Sequence, residues 1–103
     1  MSTRKVQLLK LLAAEPTDAF LRYGLAKELE AEGDRDGAIL QLEQVLRENP
    51  EYVPAFLQVG QLLIQAERLD EARDRLRMGM QTAFKQADHH AYQEMEGILG
   101  SIS

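Results

Sequence analysis

Few residues in this chain are of a type that could hold a metal or move a proton. His89 and His90 are its only histidines, and it has no cysteine. Neighbouring residues on a helix point roughly 100° apart, so the two imidazoles cannot easily share one ion. His90 and Glu94 do fall on one helical face, as do His89 and Gln93. Two ligands with no third or fourth make a weak site for a metal-assisted hydrolase. There is no glycine-rich phosphate loop, no G-x-S-x-G, no H-E-x-x-H and no calcium loop. The expectation is a non-catalytic protein with no cofactor and no metal.

The charged residues are the next candidates. Arg68, Arg73, Arg75 and Arg77 interleave with Asp70, Glu71 and Asp74. At helix spacing the pairs are Asp70–Arg73, Glu71–Arg75 and Asp74–Arg77, each worth ~0.2–0.5 kcal/mol. A phosphate-binding stripe would leave its arginines unpaired, so this run reads as a solvated face. The acidic run Glu28, Glu30, Glu32, Asp34 and Asp36 is less compensated, with Lys27 and Arg35 nearby. It solubilises the rim of a turn, or steers a basic segment toward it.

What must position these groups is a chain of 103 residues with 45% apolar and 28% charged residues, the profile of one small globular domain. Its net charge of −5 argues against a nucleic-acid partner. No apolar run is long enough to insert in a membrane. Lys5, Gln7 and Lys10 interrupt the N-terminal segment, unlike the core of a signal peptide. The expected location is cytoplasmic.

Pro16 and Pro50 stand 34 residues apart, and the same shift aligns much of the chain. Leu25-Ala26 falls on Val59-Gly60, Leu29 on Leu63, Asp36 on Asp70, Ala38 on Ala72, Leu42 on Leu76 and Leu46 on Met80. A fixed period of this length marks a repeat architecture. Within each unit the apolar period is helical, as in Leu21, Leu25 and Leu29. Glu32-Gly33-Asp34 makes the turn to the second helix, with Gly33 suited to a positive φ. The second unit has Glu67-Arg68 there, so its turn must form without glycine. Asp36 and Asp70 are expected near the following helix starts, where a carboxylate caps free amides.

These residues resemble the tetratricopeptide repeat family. Leu25-Ala26 and Val59-Gly60 match its Leu-Gly pair, and Leu29 and Leu63 take its tyrosine position. Phe56 matches its leading aromatic, where the first repeat has Arg22. Ala38 and Ala72 match the small residue that permits close helix approach, and Pro50 its terminator. Phe84 stands in the second repeat's proline register, so that helix should run on for another turn. The resemblance implies an all-α, right-handed helical-hairpin solenoid of about six helices in one domain, residues 1–103. Its parts are an N-terminal helix about 3–14, repeats about 17–50 and 51–86, and a capping helix about 88–102. The first and last helices are half-repeats without hairpin partners.

In this family the first helix of each hairpin lines a concave groove that takes peptides. The resemblance thus implies a module binding an unidentified protein or peptide through Tyr23, Lys27, Leu57, Gln58, Gln61, Ile64 and His90. Phe20, Gly24, Glu30, Ala31, Pro54, Gln65, Gln93 and Glu94 belong to the same implied side. Members that clamp a chaperone's terminal carboxylate use Lys and Asn at set positions. Only Lys27 matches here, so an extended internal segment fits better.

The N-terminal helix carries a separate signal. Leu8, Leu11 and Leu12 serve its repeat contacts, yet Val6, Leu9 and Ala13 add another apolar stripe. A second copy of the chain would cover that stripe, making a homodimer the alternative reading.

Overall fold

The computed structural model describes residues 2–103. These form six helices and no strand: α1 (Thr3–Ala14), α2 (Ala19–Ala31), α3 (Arg35–Glu48), α4 (Val53–Gln65), α5 (Leu69–Lys85) and α6 (His89–Ile102). They divide into two compact units, Met1–Pro50 with α1–α3 and Glu51–Ser103 with α4–α6.

All the helices but α5 start where a side chain or a proline relieves the unpaired amides of a first turn. Ser2 accepts from the Lys5 amide at 3.0 Å, Asp18 from Leu21 at 2.9 Å, and Asp88 from Ala91 at 3.1 Å. For α3 the cap is Asp34, bonded to the Gly37 amide at 2.9 Å. Asp36 and Asp70 lie inside the first turns of α3 and α5, two positions past the cap, where a carboxylate answers the helix dipole instead of capping. Tyr52 and Arg68 precede α4 and α5 without a side-chain cap, and Pro54 compensates at α4 because its position needs no amide.

Three helices end in one motif. The amides of Asp34, Arg68 and Asp88 reach back to the carbonyls of Leu29, Leu63 and Ala83 at 2.8–2.9 Å. The residue before each has a positive φ: Gly33 at 85°, Glu67 at 61° and Ala87 at 57°. This is the Schellman end, which satisfies carbonyls left open by the helix. Glu15 and Asn49 instead close α1 and α3 with nearly equal angles, φ −134° and −139°. With Phe84 in place of a proline, α5 continues to Lys85, where the 34-residue register of Glu48 would stop it at Thr82.

In unit 1, α2 packs against both α1 and α3. Leu8, Leu12, Leu25, Ala26, Leu29, Ala38, Leu42 and Val45 are buried. Burying a leucine-sized side chain contributes about 1.5–3 kcal/mol, so this cluster outweighs any surface pair. Charges tie α1 to α2 at the rim, with Lys5 Nζ 2.9 Å from Glu32 and Arg4 Nε 3.3 Å from Glu28. Arg22, which stands where the second repeat has Phe56, donates to Gln41 at 2.7 Å and to the Pro16 carbonyl at 2.7 Å. Its Nε lies 3.6 Å from Glu48. The aromatic position of the first repeat is thus filled by a hydrogen-bonded guanidinium.

In unit 2, α5 packs on α4 and α6, and Phe56, Val59, Leu63, Ala72, Leu76, Ala83 and Met95 are buried. The approach is close. A Cβ built on Gly60 would lie 2.6 Å from Leu76, and one on Gly79 would lie 2.6 Å from Phe56 and 2.5 Å from Met95.

Candidate functional site

The residues expected to face a partner sit mainly on α2 and α4, at matching positions of the 34-residue repeat. Tyr23 corresponds to Leu57, Lys27 to Gln61 and Glu30 to Ile64. All six keep solvent-accessible surface: Lys27 is exposed and the other five are half-buried. Phe20 is 71% exposed, at the start of the α2 face.

One register departs from the expected side. Gly24 and Gln58, 34 residues apart, are both buried. Gly24 faces α1, and a Cβ there would stand 3.4 Å from Leu8. Gln58 is only 8% exposed, so little of it is left for a partner. The physical reason is rotational. This register lies one residue round from Tyr23 and Leu57, toward the packed side of the helix.

His90 is exposed on α6, and its Nε2 lies 3.4 Å from Glu94, an ion pair whenever the imidazole is protonated. Among the described residues no group of three or more His, Asp or Glu side chains could hold a metal ion. No described helix is long and apolar enough to cross a membrane.

The family model described as tetratricopeptide repeat matches residues 29–95. The chain belongs to the tetratricopeptide repeat family. It is similar to a TPR repeat-containing protein of Pseudomonas aeruginosa, with 32% identity over 93 residues, 90% of this chain and 89% of that protein. Among solved structures it resembles the crystal structure of a tetratricopeptide repeat domain protein from Salinibacter ruber. That match has a TM-score of 0.78 at 25% identity, covering 82% of this chain and 94% of the other. A solution NMR structure of a tetratricopeptide repeat domain protein from the same organism matches with a TM-score of 0.81 at 25% identity, covering 85% and 89%. The all-α helical-hairpin class expected from the repeat is therefore the class of this protein.

The arginine run of this tetratricopeptide protein follows the expected scheme in part. Arg73 meets Asp70 at 2.9 Å as expected, and also donates to the Ile102 carbonyl at 2.7 Å. Glu71 is held by Arg68 at 2.6 Å, and that hydrogen bond, with the expected attraction of Arg75 beside it, keeps its carboxyl below the usual carboxylate range. Asp74 turns to Arg75, its neighbour, and not to Arg77. Arg77 has no ion pair among the described residues.

Arg77 belongs to a feature that the repeat pattern did not bring into view. Between α5 and α6 lies an open cleft of about 590 Å³, lined by Arg77, Met80, Gln81, Phe84, Lys85, Tyr92 and Leu99. Phe84 is 72% exposed, and its ring centroid lies 6.3 Å from that of Tyr92 at an interplanar angle of 56°. The only sequence signal was Phe84 in place of a terminating proline.

On α1, Leu8 and Leu12 are buried against the unit, whereas Leu11 is 50% exposed. Leu11 was expected in the repeat contact. It lies about 80° from the centre of the buried stripe, where α2 no longer covers it. Of the proposed self-association stripe, Leu9 is 42% exposed, Ala13 is exposed and Val6 is half-buried.

Proposed function

We propose that this tetratricopeptide protein is a non-catalytic interaction module that binds an extended segment of a partner protein on the accessible face of the first hairpin helix of a unit, α2 in unit 1 and α4 in unit 2. Proteins of this family generally act as protein-interaction modules, which is the coarse part of the reading. One observation carries the finer part. The register positions Tyr23/Leu57, Lys27/Gln61 and Glu30/Ile64 stay accessible on both helices, while Leu25, Leu29, Val59 and Leu63 bury the other side. Large side chains left accessible at a helical spacing offer anchors, and the packed hairpin holds them in place so that little ordering is lost on binding. Gln58 contributes little in this reading, and His90 extends it only onto α6. The partner is a protein or peptide with a few apolar side chains among polar ones, in the cytoplasm.

The test compares wild type with Tyr23→Ala/Leu57→Ala as bait in a lysate of the source cell. Capture lost at least about tenfold in the variant, with unchanged helicity by circular dichroism, supports the proposal. Equal capture by both baits removes the α2 and α4 faces from the mechanism.

A second reading is self-association through Val6, Leu9 and Ala13, supported by the exposure of Leu9. Leu9→Glu then abolishes any concentration dependence of the molecular mass and leaves partner capture intact.

A further inference from the structure

The α5–α6 cleft of unit 2 differs from the rest of the surface in its charge. The chain has 17 acidic residues against 12 basic ones, yet no carboxylate lines this cleft. Its polar lining is Arg77, Lys85 and Gln81, and neither cation has an ion pair among the described residues. A cation in the last turn of a helix, as Lys85 is, answers the helix dipole. Arg77 stands mid-helix, where no dipole calls for it, and its expected partner Asp74 is bonded elsewhere. Between the cations the surface is apolar: Met80 and Phe84 from α5, Tyr92 and Leu99 from α6.

The register of α6 indicates the shape that fits there. Counted from the preceding caps Tyr52 and Asp88, Phe56 and Leu63 of α4 correspond to Tyr92 and Leu99 of α6. Phe56 abuts α5, the hairpin partner of α4, at Gly79, and Leu63 lies two turns on along the same face, fully buried. α6 therefore turns toward the cleft the positions that α4 turns toward a helix.

We propose that the α5–α6 cleft docks an acidic amphipathic helix of a partner protein, seated against α6 as α5 is seated against α4. Leucine-type side chains of that helix sit between Phe84, Tyr92 and Leu99, and its carboxylates meet Arg77 and Lys85. A helix laid into an apolar groove is an established mode of recognition, and the two cations set its charge.

A second copy of this chain is a poor occupant. Its α1 is the natural candidate, since the 34-residue shift aligns α1 with the second helices α3 and α5. That helix carries Arg4, Lys5 and Lys10 and no acid, so it would bring three cations onto two. Arg4 also stands where α3 has Ala38 and α5 has Ala72, both fully buried at the close approach of paired helices.

The experiment uses two synthetic, fluorescein-labelled peptides of about sixteen residues, long enough to form a helix when bound. Both carry leucines at i, i+3, i+4 and i+7, one flanked by glutamates and the other by lysines. Fluorescence anisotropy with the full chain is expected to show saturable binding of the glutamate peptide, weakening with salt, and about tenfold or weaker binding of the lysine peptide. Arg77→Glu/Lys85→Glu reverses that preference, and Phe84→Ala weakens both peptides. These side chains are largely exposed, so helicity should be retained. If Phe84→Ala does unfold the unit, the charge-reversal pair still decides. Equal affinities for the two peptides, no binding of the glutamate peptide, or indifference to the reversal overturns the proposal. So does binding lost only in Tyr23→Ala/Leu57→Ala, or a concentration-dependent mass that Phe84→Ala abolishes, which would make a second copy the occupant.

Discussion

Gly33 and Glu67 stand 34 residues apart and hold the same left-handed backbone, with φ of 85° and 61°. Each is followed by an amide that bonds to a carbonyl five residues back, 2.9 Å for Asp34 and 2.8 Å for Arg68. The two turns are one piece of geometry made by two residue types, only one of which adopts it without steric cost.

Substitutions at these turns should therefore have opposite signs. A left-handed conformation costs a non-glycine residue about 1 kcal/mol, so Glu67→Gly stabilises by about that amount and Gly33→Ala destabilises by about as much. In a chain of this size that corresponds to a thermal shift of roughly 4–8 °C in each direction, read by circular dichroism. Equal effects of one sign would show that contacts, not backbone strain, govern the turns.

Capping offers a second contrast within the molecule. Asp34 and Asp88 accept from the Gly37 and Ala91 amides, whereas Arg68 makes no such bond. Asp34→Ala and Asp88→Ala should each cost about 1 kcal/mol in denaturant unfolding. Arg68→Ala removes no cap, so its cost should be smaller than that of either aspartate.

Arg68 also sets a titration. Its hydrogen bond holds the Glu71 carboxyl below the usual carboxylate range. A depressed folded-state value means a stabilising contribution that is present above the ordinary carboxylate range and lost as pH falls through the lowered one. With Glu71 exposed the energy is small, but the titration itself is measurable. In Arg68→Ala the Glu71 carboxyl resonance should titrate at a higher pH than in wild type by NMR.

The small residues of unit 2 give a prediction about packing. A Cβ on Gly79 would lie 2.6 Å from Phe56 Cβ, which is tethered to the α4 backbone and cannot swing away. Gly97 of α6 has nothing within 4 Å of the same position. Gly79→Ala should cost about 1–3 kcal/mol through overpacking. Gly97→Ala should stabilise by up to about 1 kcal/mol through helix propensity alone. Both are read from unfolding midpoints.

Arg22 is the residue where the first repeat departs from the second. It bonds Gln41 on α3 and the Pro16 carbonyl before α2, and it approaches Glu48. Arg22→Ala should cost about 1–3 kcal/mol, because half-buried acceptors lose a charged donor. An unchanged midpoint would show that water replaces the guanidinium without loss.

Much of this architecture was legible in the residues. The interval from Pro16 to Pro50 and the pairs Ala38/Ala72 and Leu42/Leu76 carried the repeat, because close helix packing tolerates only small residues at one position and large apolar ones at the next. Gly33 marked one turn, since positive φ favours a residue without Cβ. The extension of α5 past Thr82 was readable in the same local way, from Phe84 in the place of a proline.

Other features were not local and could not be read so. Gln58 and Gly24 share a register with little accessible surface, and a helical wheel alone does not say how wide the covered arc becomes. The exposure of Leu11 has the same origin, since α2 covers a narrower stripe of α1 than its leucines suggest. Arg77 shows the limit most sharply: helix spacing paired it with Asp74, yet that carboxylate bonds Arg75 instead. The charge left over, together with Phe84 and Tyr92 meeting across α5 and α6, makes the cleft of unit 2. Periodicity alone determines which face of a helix is apolar. How much of that face a neighbour covers, and which charges remain unpaired beside it, depends on the angle and distance at which two helices meet, and only the tertiary structure decides those.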